Sequence, residues 1–386
     1  MNKIDKIYQA ADDRKKFGFA GEKVSLSDVC TKASSVFAQK DLEELEGEYP
    51  VYGASGYIKS INQYHQEKEY IAVVKDGAGI GRTMILPAKS SIIGTMQYLL
   101  PKENILPRYL YYAVKNMHLE KYYTGATIPH IYFKDYQKEQ FNLPDIYKQN
   151  EVVEVLEIIE KITEKRNAQL NDLDTLIKAR FVEMFGNPED SGNEWEQKPL
   201  SDLLNVIGGY AFKSDQFSEI GGIPVLRIGN INAGVFRPVN MVYCEDDEKL
   251  ERYAIYAGDL VMSLTGTVGK DDYGNVCIMG NEYDKYYLNQ RNAKLEIKSG
   301  LDKYYLSELL KFECVKKKLT GISRGVRQAN ISNKDIWNLV VNVPPIELQN
   351  QFADFVTQVD KLKVEVQKSL DELQTLFDSL MQQYFG

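Results

Sequence analysis

The chain has 386 residues, is 44% hydrophobic and 26% charged, and carries a formal net charge of −8. At ~150 residues per domain that length suffices for two ordinary cores, and the composition excludes a disordered, collagen-like or low-complexity protein. No apolar run approaches the ~20 residues that a membrane span needs, and the negative balance argues against a protein that coats nucleic acid without selectivity.

Met1 to Phe19 carries charges throughout and has no apolar stretch of the secretory type, so residues 1–21 read as an extension whose role the sequence does not assign. Residues 22–145 then form a first globular region. It mixes a strand-like run, Tyr70 to Val74, with a helix-like one, Arg108 to Tyr122, and closes at the strand-stopping Leu143-Pro144. Residues 146–186 carry a coiled-coil periodicity, with Val152, Val155, Ile159, Ile162, Leu173 and Leu176 on the seam. The polar breaker Asn187-Pro188-Glu189-Asp190-Ser191-Gly192-Asn193 begins a linker over 187–196. A second globular region, 197–345, again mixes a strand-like run (Leu260 to Leu264) with a helix-like one (Lys303 to Leu319), and ends at Val343-Pro344-Pro345. Residues 346–386 repeat the coiled-coil pattern, with Phe352, Val359, Val366, Leu373 and Leu380 at one heptad position and Phe355, Leu362 and Leu376 at its partner. Each periodic stretch predicts a helix of about forty residues, roughly 60 Å long at ~1.5 Å per residue.

The chain is written twice. Asn142 to Gly186 matches Asn342 to Gly386 at a constant offset and without a gap, with identities that include Asn142/Asn342, Pro144/Pro344, Gln149/Gln349, Leu173/Leu373 and Phe185-Gly186/Phe385-Gly386. Lys134-Asp135 matches Lys334-Asp335 just upstream, and the openings match as Leu26-Ser27-Asp28/Leu200-Ser201-Asp202 and Pro50-Val51/Pro224-Val225. Between these frames the halves diverge, which suggests duplication followed by selection of the middles for different jobs. The stripe on each long helix is also wider than a two-helix seam: Leu156, Leu170, Ile177 and Met184 form a second row on the first, and Val356, Leu370, Phe377 and Tyr384 on the second. The extra row either packs on the chain's own domains or, with Leu173, Leu176, Leu373 and Leu376 of the seam, offers a docking face to another subunit.

Charge is unevenly placed. The two helical stretches and the linker are acidic, leaving the globular regions and N-terminus at +2, and Cys314 to Lys334 holds Lys316, Lys317, Lys318, Arg324, Arg327 and Lys334 with no acid. That stretch is either a solvated basic face or a nucleic-acid contact, with Arg324, Arg327, Gln328, Asn330 and Lys334 as candidates. Arg pairs with guanine, Asn or Gln with adenine, and Lys with phosphate. The matching stretch of the first half offers Thr127, His130, Tyr132 and Lys134. Two glycine-flanked loops follow apolar strands and end in a cation: Lys75 to Arg82, and Thr265 to Lys270. Neither fits a nucleotide-binding glycine motif, so they read as plain turns or as turns presenting Lys75, Arg82 and Lys270 to a polyanion.

Chemistry-bearing constellations are missing. Cys30, Cys244, Cys277 and Cys314 form no C-x-x-C pair and read as thiols of a reducing cytoplasm. His65, His118 and His130 lie in three separate contexts, which speaks against a histidine-rich metal centre. Asn342-Val343-Pro344-Pro345 only superficially resembles the Asn-Pro-Pro-aromatic motif of adenine methyltransferases, since no aromatic residue follows. No serine-hydrolase elbow or zinc-protease helix motif is present either.

The two-fold layout, the "LSD" openings, "YPVYGASGYI" (Tyr49 to Ile58), "GATIPHIYFKDY" (Gly125 to Tyr136) and the helices ending in Phe-Gly together resemble the specificity subunit of a type I restriction-modification system. The resemblance covers nearly the whole chain after the first twenty residues. It implies an α+β protein in which two α/β-mixed target recognition domains are joined by two long antiparallel coiled-coil helices in an internal pseudo-two-fold repeat. It further implies a non-catalytic subunit that reads a bipartite, asymmetric target in double-stranded DNA. The long helices set the half-site spacing, and two modification subunits (adenine methyltransferases) and restriction subunits assemble on the chain. No cofactor is expected on this chain, since S-adenosylmethionine, ATP and Mg2+ belong to the partners. A free-standing two-domain DNA-binding regulator is the alternative, and an adenine methyltransferase a weaker one. The expected place is the cytoplasm, with no membrane contact.

Overall fold

The computed structural model describes residues 21–125, 129–190, 195–231, 234–268, 270, 272–321 and 328–386, with Gln328 described in its backbone. Of the candidate residues, Thr127, Arg324 and Arg327 lie outside the described residues, as does the side chain of Gln328. The chain divides into two compact units, Met1–Ala168 with Gln367–Gly386, and Gln169–Val366. Each long helix, Ile146–Phe185 and Ile346–Phe385, contributes one part to each unit. Among the described residues no helix is long and apolar enough to cross a membrane.

The first unit holds strands β1 (Glu22–Ser25), β2 (Cys30–Ser34), β3 (Tyr49–Gly53), β4 (Gly56–Ile61), β5 (Tyr70–Val74), β6 (Thr83–Leu86), β7 (Ser91–Ile92), β8 (Met96–Pro101) and β9 (Gln140–Leu143). Opening strand β1 pairs antiparallel with closing strand β9. A four-stranded antiparallel sheet runs in the order β2-β8-β5-β6, and a three-stranded sheet runs β4-β3-β7 with β3 and β7 parallel. All five residues of β5 are buried, which is why Tyr70-Ile71-Ala72-Val73-Val74 reads as a continuous apolar run rather than an alternating one. Helix Pro107–Asn116 starts with proline, whose fixed φ suits a first turn, and buries Tyr109, Leu110 and Ala113 completely. The core formed there also takes Val152, Leu156 and Ile159 from the first long helix and Leu380, Met381, Tyr384 and Phe385 from the second. Start packs beside end, so the two helices run antiparallel within this unit.

The second unit repeats the plan. Its strands are β10 (Glu196–Pro199), β11 (Leu204–Gly208), β12 (Ile223–Leu226), β13 (Val242–Cys244), β14 (Ala254–Ile255), β15 (Leu260–Ser263), β16 (Thr265–Thr267), β17 (Val276–Ile278), β18 (Tyr286–Leu288), β19 (Asn292–Ile297), β20 (Gln328–Asn330) and β21 (Val340–Val343). Opening strand β10 pairs with closing strand β21, the main sheet runs β11-β19-β15-β17, and β12 lies parallel to β18 as β3 does to β7. Strands β14, β16 and β20 are additions. The core draws Leu173, Ile177, Phe181 and Phe185 together with Phe352, Val356, Val359 and Val366.

Identical residues of the repeat make identical bonds. Gln149 is fully buried; its Oε1 accepts from Leu106 N (2.8 Å), and its Nε2 donates to the carbonyls of Asn104 (3.0 Å) and Pro144 (2.9 Å). Gln349, also fully buried, accepts from Asp302 N (2.8 Å) and donates to Gly300 O (3.1 Å) and Pro344 O (2.8 Å). Tyr109 and Tyr305 donate their hydroxyls to Asn142 O and Asn342 O at 2.7 and 2.9 Å. Two expected helices are broken. The first stops at Asn116 because His118 takes a left-handed φ of 50° before the turn Leu119–Tyr122. Likewise Lys303–Lys311 and Glu313–Thr320 are separated by the extended Phe312.

The wide stripe is largely accounted for inside the chain. Leu156, Leu173, Ile177 and Val356 are buried in the two cores, and Leu170, Leu373, Leu376 and Phe377 are half-buried against them. Leu370 is intermediate, and Leu176 stands out at 47% exposed. Most of the second row therefore packs on the chain's own two cores.

Candidate nucleic-acid interface

In the first unit, β5 runs into the Lys75–Arg82 loop, which turns through Gly77, Gly79 and Gly81, all at positive φ. At Gly81 a Cβ would lie 2.6 Å from the Glu120 amide nitrogen, so only glycine fits. The loop is zipped to the segment 129–131, where Gly77 N donates to Pro129 O (3.0 Å) and Ile131 N to Lys75 O (2.9 Å). This brings candidates from two distant stretches together. The Nδ1 of His130 lies 2.6 Å from Asp76 Oδ1, its ring stacks on Tyr132 at 6.3 Å between centroids, and Lys134 Nζ sits 5.4 Å over the Tyr132 ring. Tyr132 is 50% exposed. The result is an exposed row of imidazole, phenol and ammonium anchored through one carboxylate, the mixture of donors that phosphate and base edges accept. Arg82 is partly committed, since its Nη1 donates to Ala54 O (2.9 Å), and Lys75 pairs with Asp76 at 3.5 Å.

The second unit builds the corresponding corner from different side chains. β15 continues through Leu264 into β16, which pairs antiparallel with β20: Thr265 with Asn330, Gly266 with Ala329, Thr267 with Gln328. Ile331 N donates to Leu264 O (2.8 Å), repeating the Ile131–Lys75 bond. The glycine-rich loop and the end of the basic stretch thus form one ribbon, and the exposed Lys270, Asn330 and Lys334 belong to it. Ser332 caps the helix Asn333–Trp337 with Asp335, each bonding the other's backbone N–H. The basic stretch is not a uniform face, however. Lys316 is buried and donates to Asn275 Oδ1 (2.6 Å), and Lys317 pairs with Glu313 at 2.6 Å, which raises the lysine's pKa.

Two features escaped the sequence reading. Asp76, the anchor of His130, looked like one more loop residue. Arg227 and Arg291 border a polar cleft beside the ribbon, and the signal that could have found them is the repeat itself, extended into the diverged middles. Among the described residues no group of three or more His, Cys, Asp or Glu could hold a metal ion. Burial pushes the thiols of Cys30 and Cys277 up to about 12 and about 11, so neither forms thiolate near neutrality.

A sequence profile of the type I restriction modification DNA specificity domain matches residues 21–172 and again 192–374. The type I restriction enzyme MjaVIII specificity subunit of Methanocaldococcus jannaschii is 26% identical over 363 residues, covering 86% of this chain and 83% of that protein. The fold is similar to the crystal structure of the type I restriction-modification system S subunit from M. genitalium, with a TM-score of 0.59 at 15% identity over 96% of this chain and 97% of that one. It is also similar to a chain from a structural study of complex assembly and conformational transition of the type I restriction-modification system, with a TM-score of 0.53 at 14% identity over 95% and 98%. A twofold profile match over twice-built units places it plainly: the chain belongs to the type I restriction-modification DNA specificity family.

Proposed function

We propose that this chain is the sequence-reading, non-catalytic subunit of a methylating and restricting complex, and that each compact unit reads one half of a bipartite DNA target. The observation that carries this is the pairing of one scaffold with two loop clusters. The same backbone bond, Ile131 N to Lys75 O and Ile331 N to Leu264 O, presents His130, Tyr132 and Lys134 in one unit and Asn330, Ser332 and Lys334 in the other. Unlike side chains on like frames read unlike sequences, so the target is asymmetric. A duplicated frame also offers equivalent surfaces to two copies of one partner, which on this reading are modification subunits that methylate adenine; restriction subunits complete the complex. S-adenosylmethionine, ATP and Mg2+ enter through those partners. The two forty-residue helices, roughly 60 Å each, set the half-site spacing.

The test is adenine-methylation mapping of genomic DNA from cells that express the chain with its modification subunit, against cells lacking only this chain. A bipartite, asymmetric motif that vanishes with the chain is the expected result. Unchanged methylation in a strain whose modification subunit is active on its own overturns the reading. Removing one or two heptads from the first long helix is expected to alter the unread spacer, and an unchanged spacer refutes the ruler.

A further inference from the structure

The repeat can be carried into the diverged middles through backbone bonds. β3 and β12 pair with β7 and β18 in one register, Tyr52 facing Ile92 and Leu226 facing Leu288. Beyond them, Ile93 N donates to Tyr52 O (3.0 Å) as Asn289 N does to Leu226 O (3.2 Å), and Lys75 N donates to Thr95 O (3.0 Å) as Leu264 N does to Arg291 O (2.8 Å). Gly53, Ile93, Gly94 and Thr95 of the first unit therefore occupy the places of Arg227, Asn289, Gln290 and Arg291 in the second.

The contents of the two corners are opposite. In the first unit the corner is apolar and filled. Ile93 is buried there with Ile58 against it, at the edge of a cluster whose Val51 and Ile61 keep apolar counterparts, Val225 and Cys244, in the second unit. A Cβ on Gly53 would come 2.9 Å from Ile58 and 3.2 Å from Ile93. In the second unit the same place is a cleft of about 500 Å³ bordered by Arg227, Asn230, Asn289, Gln290 and Arg291, with no carboxylate in its lining. Neither arginine forms an ion pair among the described residues. Arg227 donates through Nη2 to Asn240 O, while its Nε is buried without a partner. The wall is built to keep this shape. Asn230, 2% exposed, accepts from Arg227 N (3.0 Å) and donates to the carbonyls of Arg237 and Val239 (3.0 Å each). At the rim the side chains of Gln290 and Arg291 are exposed, and the Arg291 carbonyl holds the amide of Leu264, one residue before the β16–β20 ribbon.

Two guanidinium groups and four side-chain amides around a cleft with no carboxylate in its lining present many donors and favour an acceptor-rich ligand. The edge of guanine, with O6 and N7, is the base edge that an arginine meets with two hydrogen bonds. We infer that this cleft reads a guanine in the half-site of the second unit, with Arg291 as the reaching side chain and Arg227 as the fixed one. The first unit has no reader at the equivalent place. This rests on the DNA-reading function proposed above.

The experiment uses the complete complex with its modification subunits and a pool of duplexes in which both half-sites are randomised, sequencing the methylated products. The wild-type complex yields the two half-sites; failure to yield a bipartite motif would sink the underlying reading and this inference with it. R291A is expected to lose discrimination for guanine at one position of the second half-site by about 5- to 150-fold while leaving the first half-site motif intact. Q290A, a change at an exposed side chain, relaxes the same or the adjacent position and guards against a folding defect in the first variant. A uniform loss over every sequence would make the cleft a phosphate site and overturn the inference, as would an unchanged second half-site.

Discussion

Compared unit against unit, the molecule keeps one buried glutamine and its bonds, and changes the polar side chains of the loop clusters. Gln149 and Gln349 bond equivalent backbone groups in the two units, yet the position two residues before each matched lysine is the exposed Tyr132 in one and the half-buried Ser332 in the other. The physical reason is an asymmetry of cost. A buried donor or acceptor that loses its partner costs about 1–3 kcal/mol, whereas an exposed one returns to water. Duplication followed by divergence therefore leaves repeated hydrogen bonds at the helix starts under two unlike loop clusters.

The largest test of this comparison removes these bonds. Gln149→Leu leaves Leu106 N, Asn104 O and Pro144 O without their partner, and Gln349→Leu does the same to Asp302 N, Gly300 O and Pro344 O. Each substitution is expected to destabilise its own unit by about 2–5 kcal/mol, and by similar amounts. A single melting temperature would blur the two units, so thiol labelling separates them. Cys30 is buried in the first unit's core and Cys277 in a smaller apolar cluster of the second unit, with Leu226 and Leu288, and burial raises both thiols, to about 12 and about 11. At pH 8 each labels through opening of its own surroundings. Gln149→Leu should accelerate labelling of Cys30 and leave Cys277 unchanged, with the reverse for Gln349→Leu. Clearly unequal losses would break the equivalence of the two frames.

A smaller effect is expected at the reading surface. Tyr132→Ala with Lys134→Ala removes the exposed ring and the ammonium above it. Discrimination at the first half-site should fall by about 1–3 kcal/mol, and fold stability should hardly change. Randomised-duplex methylation by the complete complex reads it: a second half-site that shifts as well would show that the two surfaces are not independent.

How much of this was visible in the residues follows the same division. The long helices were legible because an apolar residue every three to four positions over forty residues has few other readings. The all-buried strand at Tyr70–Val74 was legible for the opposite reason, an unbroken apolar run. The break at His118 was not, since a left-handed φ at a histidine leaves no mark in hydrophobic periodicity. The docking reading of Leu156, Ile177 and Val356 could not be decided from a stripe, because width reports how many neighbours a helix has and not which chain supplies them. The two loop clusters were half legible. Their polar residues stood out, but the pairing of Thr265–Thr267 with Gln328–Asn330, or of Asp76 with His130, joins residues more than fifty positions apart through turns of no fixed length.

The smallest prediction uses a place where one frame carries an extra bond. The short helix after the matched isoleucine begins at Phe133 in the first unit behind Tyr132, which offers no side-chain cap, and at Asn333 in the second behind Ser332. Ser332 Oγ accepts from Asp335 N at 3.2 Å, and Asp335 returns its carboxylate to Ser332 N at 2.9 Å. Ser332→Ala deletes one arm of this box and costs about 1 kcal/mol. Tyr132→Ala at the matched position has no such bond to lose and is expected to leave the opening rate of its unit unchanged. Hydrogen exchange of the amides of Asp335 and Asp135 reads both at once. Faster exchange at Asp335 alone confirms that the second unit added a cap to a shared helix, and equal acceleration at Asp135 shows that the first helix is held by a cap of another kind.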